Sequence, residues 1–327
     1  MPRTVVVTGA AGFAGGHLVE LLARAGLDVF GWHRPGGTPP TDVPCTRWQA
    51  VDVLDRGAVR QALMEASPAF VYHCAGAAHV GRSWERVEPT FATNVRGTHH
   101  VIEGLREAGV QATLLIPSSA MVYGASDEPL GEGHPLSPAS PYALSKLAQE
   151  MLAAGNQDRP PIVVARAFNH VGPRQDPFFA ASGFARRIAD IEAGRWEPVL
   201  SVGNLDARRD LTDVRDTVRA YRLIAERGSP GAIYNVCSGR AFSVRELVDM
   251  MLARARVPIS VKVDPARLRP NDVPLVVGDP RRIFHELGWR PEVPIEQTID
   301  DLLDYWRTRP GQCADAKRRP PRSRSWS

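Results

Sequence analysis

The sequence predicts an α/β fold, a doubly wound parallel sheet followed by a smaller C-terminal α/β lobe. Three observations carry that expectation. Short apolar runs alternate with amphipathic segments through the first half, the order that lays strands side by side with helices on both faces. The first run, Thr4-Val5-Val6-Val7, leads directly into the loop Gly9-Ala10-Ala11-Gly12-Phe13-Ala14-Gly15, a strand-to-helix turn of the kind that receives phosphate. From about residue 170 the alternation breaks down into Gly-, Pro- and Arg-rich segments with short helices.

In chain order, the candidate strands are Thr4–Thr8, Asp28–Trp32, Thr46–Val53, Ala69–Cys74, Thr113–Pro117 and Ile162–Ala167. Helical periodicity lies between them, as in Leu18, Leu21 and Leu22, and again in Val95, Val101, Ile102 and Leu105. Residues 1–168 are therefore assigned to the sheet domain, with later segments able to return to it. Residues 169–310 form mainly the second lobe, including helices over Ser243–Arg254 and Ile295–Arg307.

The composition, 43% hydrophobic and 23% charged over 327 residues, is that of a water-soluble globular chain. No apolar run approaches the ~20 residues of a membrane span. The N-terminus enters the first strand without a signal peptide, and Cys45, Cys74, Cys237 and Cys313 show neither metal nor disulfide spacing. A reducing cytoplasm is the expected setting. The net charge of +4 misleads, because Lys317, Arg318, Arg319, Arg322 and Arg324 all fall in the final stretch. Residues 311–327 read as a basic disordered tail, expected to be a solvated end rather than a nucleic-acid-binding arm.

The glycine loop has a division of labour. Gly9 permits a tight turn, Gly12 lets backbone approach phosphate, and Gly15 lets helix pack closely on strand. A dinucleotide is the ligand this arrangement holds. A carboxylate at the end of the second strand would accept the adenosine ribose hydroxyls of NAD; His33-Arg34 stands there instead. Arg34 can bind a 2′-phosphate, so NADP is expected rather than NAD. Asp52 and Val53, after the third strand, are placed to hold the adenine edge.

A second constellation is Ser140-Pro141-Tyr142-Ala143-Leu144-Ser145-Lys146. Serine is a favoured N-cap and proline is tolerated at the first helical position. Tyr142 and Lys146 at i,i+4 share one face. The helix N-terminus and the lysine are expected to lower the phenol towards the working range. Ser118-Ser119-Ala120-Met121-Val122-Tyr123-Gly124 follows the fifth strand, so its hydroxyls emerge at the carboxyl edge of the sheet, where such folds bind ligand.

With these residues together, the chain resembles the extended short-chain dehydrogenases/reductases of the nucleotide-sugar-modifying branch, which share the Rossmann fold. Thr93-Asn94-Val95-Arg96-Gly97-Thr98 and Phe168-Asn169-His170-Val171-Gly172-Pro173-Arg174-Gln175 add to the likeness. The resemblance implies that Ser119, Tyr142 and Lys146 are catalytic: Tyr142 the acid/base, Ser119 the carbonyl partner, Lys146 the ribose ligand that tunes the tyrosine. It also implies cofactor contacts from Phe13, Ala14, Ala75 and Asn94, and substrate contacts from Ser118, Ser119 and Asn169.

The second half is similar to the GDP-mannose 4,6-dehydratases and their sister reductases, through Phe184-Ala185-Arg186-Arg187-Ile188, Val202–Asp216 and Leu268–Pro274. Arg187, Arg209 and Arg269 then make sense as diphosphate clamps, since guanidinium pairs with phosphate oxygens in forked geometry; Asp272 joins the substrate set. In the dehydratases a glutamate stands two residues after the catalytic hydroxyl, and here that position is Met121, which is neither acid nor base. The resemblance therefore implies NADPH-dependent reduction of the C4 ketone of GDP-4-keto-6-deoxy-mannose by a homodimer. A nucleotide-sugar 4-epimerase with retained NAD is the alternative reading, and a non-catalytic NADP-binding protein a minor one.

Overall fold

The computed structural model describes residues 3–44, 47–156, 160–268 and 273–309. Its first half runs β1 (Thr4–Thr8), α1 (Phe13–Arg24), β2 (Asp28–His33), β3 (Arg47–Ala50), α2 (Arg56–Ala66) and β4 (Phe70–His73). Short helices α3 (Val80–Ser83) and α4 (Val87–Phe91) follow, then a π-helical turn over Ala92–Arg96 that runs into α5 (Gly97–Glu107). After these come β5 (Thr113–Ser119), α6 (Pro141–Ala154) and β6 (Ile162–Ala167).

The second half contains β7 (Asn169–Val171), α7 (Ala180–Glu192), β8 (Val199–Val202), β9 (Arg208–Asp213), α8 (Val214–Arg227), β10 (Ile233–Val236) and β11 (Ala241–Ser243). It closes with α9 (Val244–Leu252), β12 (Ser260–Val263), β13 (Leu275–Val276), α10 (Arg281–Leu287) and α11 (Ile295–Arg307). The basic tail, Cys45, Cys313, Arg269 and Asp272 lie outside the described residues.

Seven strands form one sheet in the order β10-β6-β5-β4-β1-β2-β3. Every pairing in it is parallel, as the strand–helix alternation predicts. Because successive side chains of a strand face opposite ways, β1 feeds two cores. Val5 and Val7 join Leu18, Leu22, Val218 and Ile224 under α1 and α8. Val6 joins Leu63, Val101, Ile102 and Leu105 under α2 and α5. Strand order reverses between β1 and β4, which opens a crevice at their carboxyl ends.

The third strand is shorter than its apolar pattern predicts. Its ladder with β2 ends at Ala50, and the chain then turns through an Asp52 side chain that accepts from Leu54 N at 2.9 Å. The second lobe centres on β9, which pairs with β7, β11 and β13. Its own core gathers Phe184, Ile188, Val248, Ile299, Leu302 and Trp306. The half-chains interleave: α8 packs on α1, and β10 forms the edge of the main sheet.

Candidate active site

The crevice is built on backbone first. Gly9 adopts φ +63, and a Cβ there would lie 2.7 Å from Ala75 N, so the glycine loop and the end of β4 touch. At Gly15 a Cβ would lie 2.2 Å from Gly9 O, a space only hydrogen fits. Gly12 caps α1 without a side-chain hydrogen bond, and the first turn holds no acid. Its leading N–H groups and the positive end of the helix dipole are thus available to an anion. Phe13 at the helix start stacks on His170, with ring centroids 5.6 Å apart.

Past β2, Arg34 is exposed, and the His33 ring is held by its Nδ1, 3.0 Å from Arg34 O, and by edge contact with Trp48. Half-buried Asp52 and buried Val53 follow β3. Ala75 and Ala77 border the crevice; Ala77 N donates to Asn94 Oδ1 at 2.7 Å, and Asn94 Nδ2 donates to Ser145 Oγ at 2.8 Å. Asn94 reaches both because the π-helical turn that carries it offsets it from the regular helix that follows.

Helix α6 starts as its sequence predicts. Ser140 Oγ accepts from Ala143 N at 3.1 Å and Pro141 takes the first helical position; a cap of this kind is worth about 1 kcal/mol. Tyr142 N donates to Ser83 Oγ at 3.2 Å, which fixes the tyrosine's backbone from the α3 side. The Tyr142 phenol interacts with Ser119, whose Oγ accepts from Met121 N at 3.2 Å. Lys146 Nζ donates to Pro117 O at 2.8 Å and sits 5.9 Å from the centre of the Tyr142 ring.

The electrostatics differ from the sequence expectation. Burial pushes the Tyr142 phenol up, and the Ser119 hydrogen bond offsets only part of that. Burial also pulls the Lys146 ammonium down to about 8. Desolvation therefore dominates, and Tyr142 is a neutral phenol at pH 7 rather than a partly ionised one.

Ser118 differs in another respect. Its hydroxyl donates to Glu150 in the interior, a direction the sequence reading did not anticipate. The buried Glu150–Arg166 pair behind it was not singled out from sequence, although Glu150 sits at i+4 from Lys146. His73 was missed as well; its two ring nitrogens meet Thr8 Oγ1 at 2.9 Å and Thr98 Oγ1 at 3.0 Å, a contact that no spacing rule reveals.

Of the expected substrate residues, Asn169 is exposed at the start of β7, beside β9. The Arg187 guanidinium lies 3.9 Å over the Trp196 ring. Arg209 on β9 donates to Arg208 O at 2.9 Å. Among the described residues no cluster of His, Cys, Asp and Glu is arranged to hold a metal.

The family model for GDP-mannose 4,6 dehydratase matches residues 6–302. The chain belongs to that family. Within it, GDP-6-deoxy-D-mannose reductase of Pseudomonas aeruginosa is 35% identical, over 94% of this chain and 99% of its own. The structure of RMD from Pseudomonas aeruginosa complexed with NADPH superposes with a TM-score of 0.82 at 32% identity, covering 94% of this chain and 99% of that one. UDP-glucose 4-epimerase of Thermus thermophilus, complexed with NAD, gives 0.83 at 30%, covering 93% and 98%. The fold is thus the α/β Rossmann fold of nucleotide-sugar enzymes, and the dehydratase family here includes a reductase relative.

Proposed function

We propose that this protein is an NADPH-dependent reductase that converts the C4 ketone of GDP-4-keto-6-deoxy-D-mannose to GDP-6-deoxy-D-mannose (GDP-rhamnose) or its C4 epimer. The observation that carries the reading is Met121 beside a complete Ser119–Tyr142–Lys146 set. Removing water from a hexose needs a second acid/base near the reacting carbons; reducing a ketone needs only a proton donor and a hydride. The 35% identical reductase relative supports the same choice.

The crevice suits NADPH. The uncapped start of α1 would face the pyrophosphate, and Arg34, with no acid at the end of β2, would face a 2′-phosphate. Bound there, NADPH would supply the hydride. Tyr142, kept protonated by burial, has the proton to give to the carbonyl oxygen, and Ser119 orients that oxygen by a hydrogen bond. Lys146 supplies a cation close enough to steady the phenolate that remains. Arg187 and Arg209, with Arg269, would hold the diphosphate, and Asn169 and Asp272 would contact the rest of the sugar nucleotide.

In this reading residues 1–168, completed by α8 and β10, serve the cofactor, and the remainder to about residue 310 serves mainly the sugar nucleotide. A homodimer is supported by Leu144 and Met151, exposed one heptad apart on the outer face of α6; light scattering of the eluted protein tests it. No described helix is long and apolar enough to cross a membrane, and both reactants are water-borne, which supports action in the cytoplasm.

The test is to mix purified protein, GDP-4-keto-6-deoxy-mannose and NADPH, follow absorbance at 340 nm and identify the sugar by NMR. Stoichiometric NADPH consumption is expected. Tyr142→Phe should lose on the order of 10²–10⁴-fold in kcat while still binding NADPH. Arg34→Ala should weaken NADPH by about tenfold and leave NADH unchanged, because the interaction removed is with the 2′-phosphate alone. The likeness to an NAD-bound 4-epimerase sustains a second reading: turnover of UDP- or GDP-hexoses with no added NADPH would establish it and displace the first.

A further inference from the structure

The three residues that close β5 each face α6, and the helix residues they face stand four apart. Lys146 Nζ donates to Pro117 O at 2.8 Å, Glu150 accepts from Ser118 Oγ, and the Tyr142 phenol interacts with Ser119. Positions i, i+4 and i+8 form one stripe of a helix. A single face of α6 therefore grips three consecutive strand residues, and any slip or rotation of the helix would break every grip together.

Glu150 is itself clamped. Arg166 Nε lies 3.0 Å from its Oε1 and Arg166 Nη2 lies 2.7 Å from its Oε2, with both side chains at most 5% exposed. Arg166 sits on β6 directly across from Ser118. Its Nη1 also donates to Tyr123 Oη at 2.9 Å and to Glu132 O at 3.0 Å, which ties in the loop just past Ser119. A buried ion pair is costly to desolvate and is weak evidence for stability. Here it joins α6, β5, β6 and the catalytic loop at one point.

The groups facing Lys146 sharpen the case. From α6 they are Tyr142 and Glu150; from the end of β4 they are His73 and Cys74. Burial holds His73 neutral, down at about 3, and Cys74 as a thiol, up at about 12. Glu150 is the carboxylate whose attraction partly offsets the burial of the Lys146 ammonium.

We propose that Glu150, clamped by Arg166, is a positioning residue for Ser119, Tyr142 and Lys146, setting the phase of α6 on β5 and the charge environment of the lysine. The proposal rests on the reading of those three as the catalytic set.

Two variants of the full-length protein test it, Ser118→Ala and the doubly neutral Glu150→Gln/Arg166→Gln. The readouts are kcat and KM against pH, NADPH binding by fluorescence, and the Lys146 midpoint by NMR of ¹³C-labelled lysine. Ser118→Ala should lower kcat by on the order of tenfold with NADPH affinity kept within about twofold, as expected for misplacement of a bound reacting pair. In the double variant the Lys146 midpoint should fall, and the alkaline limb of kcat should move to lower pH with it. If both variants merely unfold at lower temperature, with kcat and the lysine midpoint unmoved, the pair is structural and the proposal is overturned. The midpoint is read without turnover, so an absence of ketone reduction by the wild type would sink the reductase reading separately. If the double variant does not fold, Ser118→Ala decides, since it cuts the tie to β5 and leaves both charges in place.

Discussion

Ser118 and Ser119 carry the same side chain on adjacent residues, and the strand sends them to opposite sides. Ser119 meets Tyr142 in the crevice, and Ser118 meets Glu150 in the interior. The sequence identified the hydroxyl-bearing loop but not the direction of each hydroxyl, because period-2 alternation separates the two while the absolute phase depends on α6. Lys146 illustrates the same limit. Spacing placed it with Tyr142, but the dominance of desolvation is a property of the packed interior. Its ammonium is pulled from 10.5 down to about 8 by burial, which corresponds to roughly 3 kcal/mol of unfavourable charge burial. Lys146→Met should therefore stabilise the cofactor-free protein at pH 7 by about 1–2 kcal/mol, measured by urea unfolding, while abolishing turnover. A loss of stability would mean that the Pro117 hydrogen bond and the attraction of Glu150 outweigh the burial.

Long elements were legible and short ones were not. Helix α11 spans Ile295–Arg307 and α6 begins at its Ser-Pro cap, as their patterns predict. Strands such as β7 and β11, with three residues each, and β13, with two, are too short to show alternation. They exist because β9 offers them a ladder, a non-local cause. The glycine loop was legible because its geometry excludes other residues. With Gly9 O only 2.2 Å from the position of a Gly15 Cβ, Gly15→Ala should force α1 off β1. A drop in thermal midpoint of several degrees and loss of NADPH binding are expected; a variant that melts and binds as wild type would show that the strand–helix contact yields easily.

At the scale of the whole molecule, α1 is where the lobes are fastened. Phe13 stacks on His170, His17 Nε2 lies 2.9 Å from Pro173 O, and Glu20 pairs with Arg174 at 2.6 Å. Burial, then Arg174, holds His17 down at about 4; burial, then Lys146, holds His73 down at about 3. Both rings are neutral in the fold and take up protons on unfolding once the pH is below their ordinary 6.5. Their contribution is thus complete above pH 6.5 and is lost as pH falls towards 4 and 3. The thermal midpoint should fall progressively across that window, and a midpoint flat from pH 7 to about 4 would contradict the assignment.

The return of β10 to the edge of the main sheet also has a consequence for synthesis. Strand β6 gains its outer neighbour only when residues 233–236 have been made. A ribosome adding ~5–20 residues per second must therefore translate β7 to β9 before the cofactor half can close. In that interval the outer edge of β6 and the α8-facing side of the sheet are bare, the period when the nascent chain is most exposed to mispairing and to capture by chaperones.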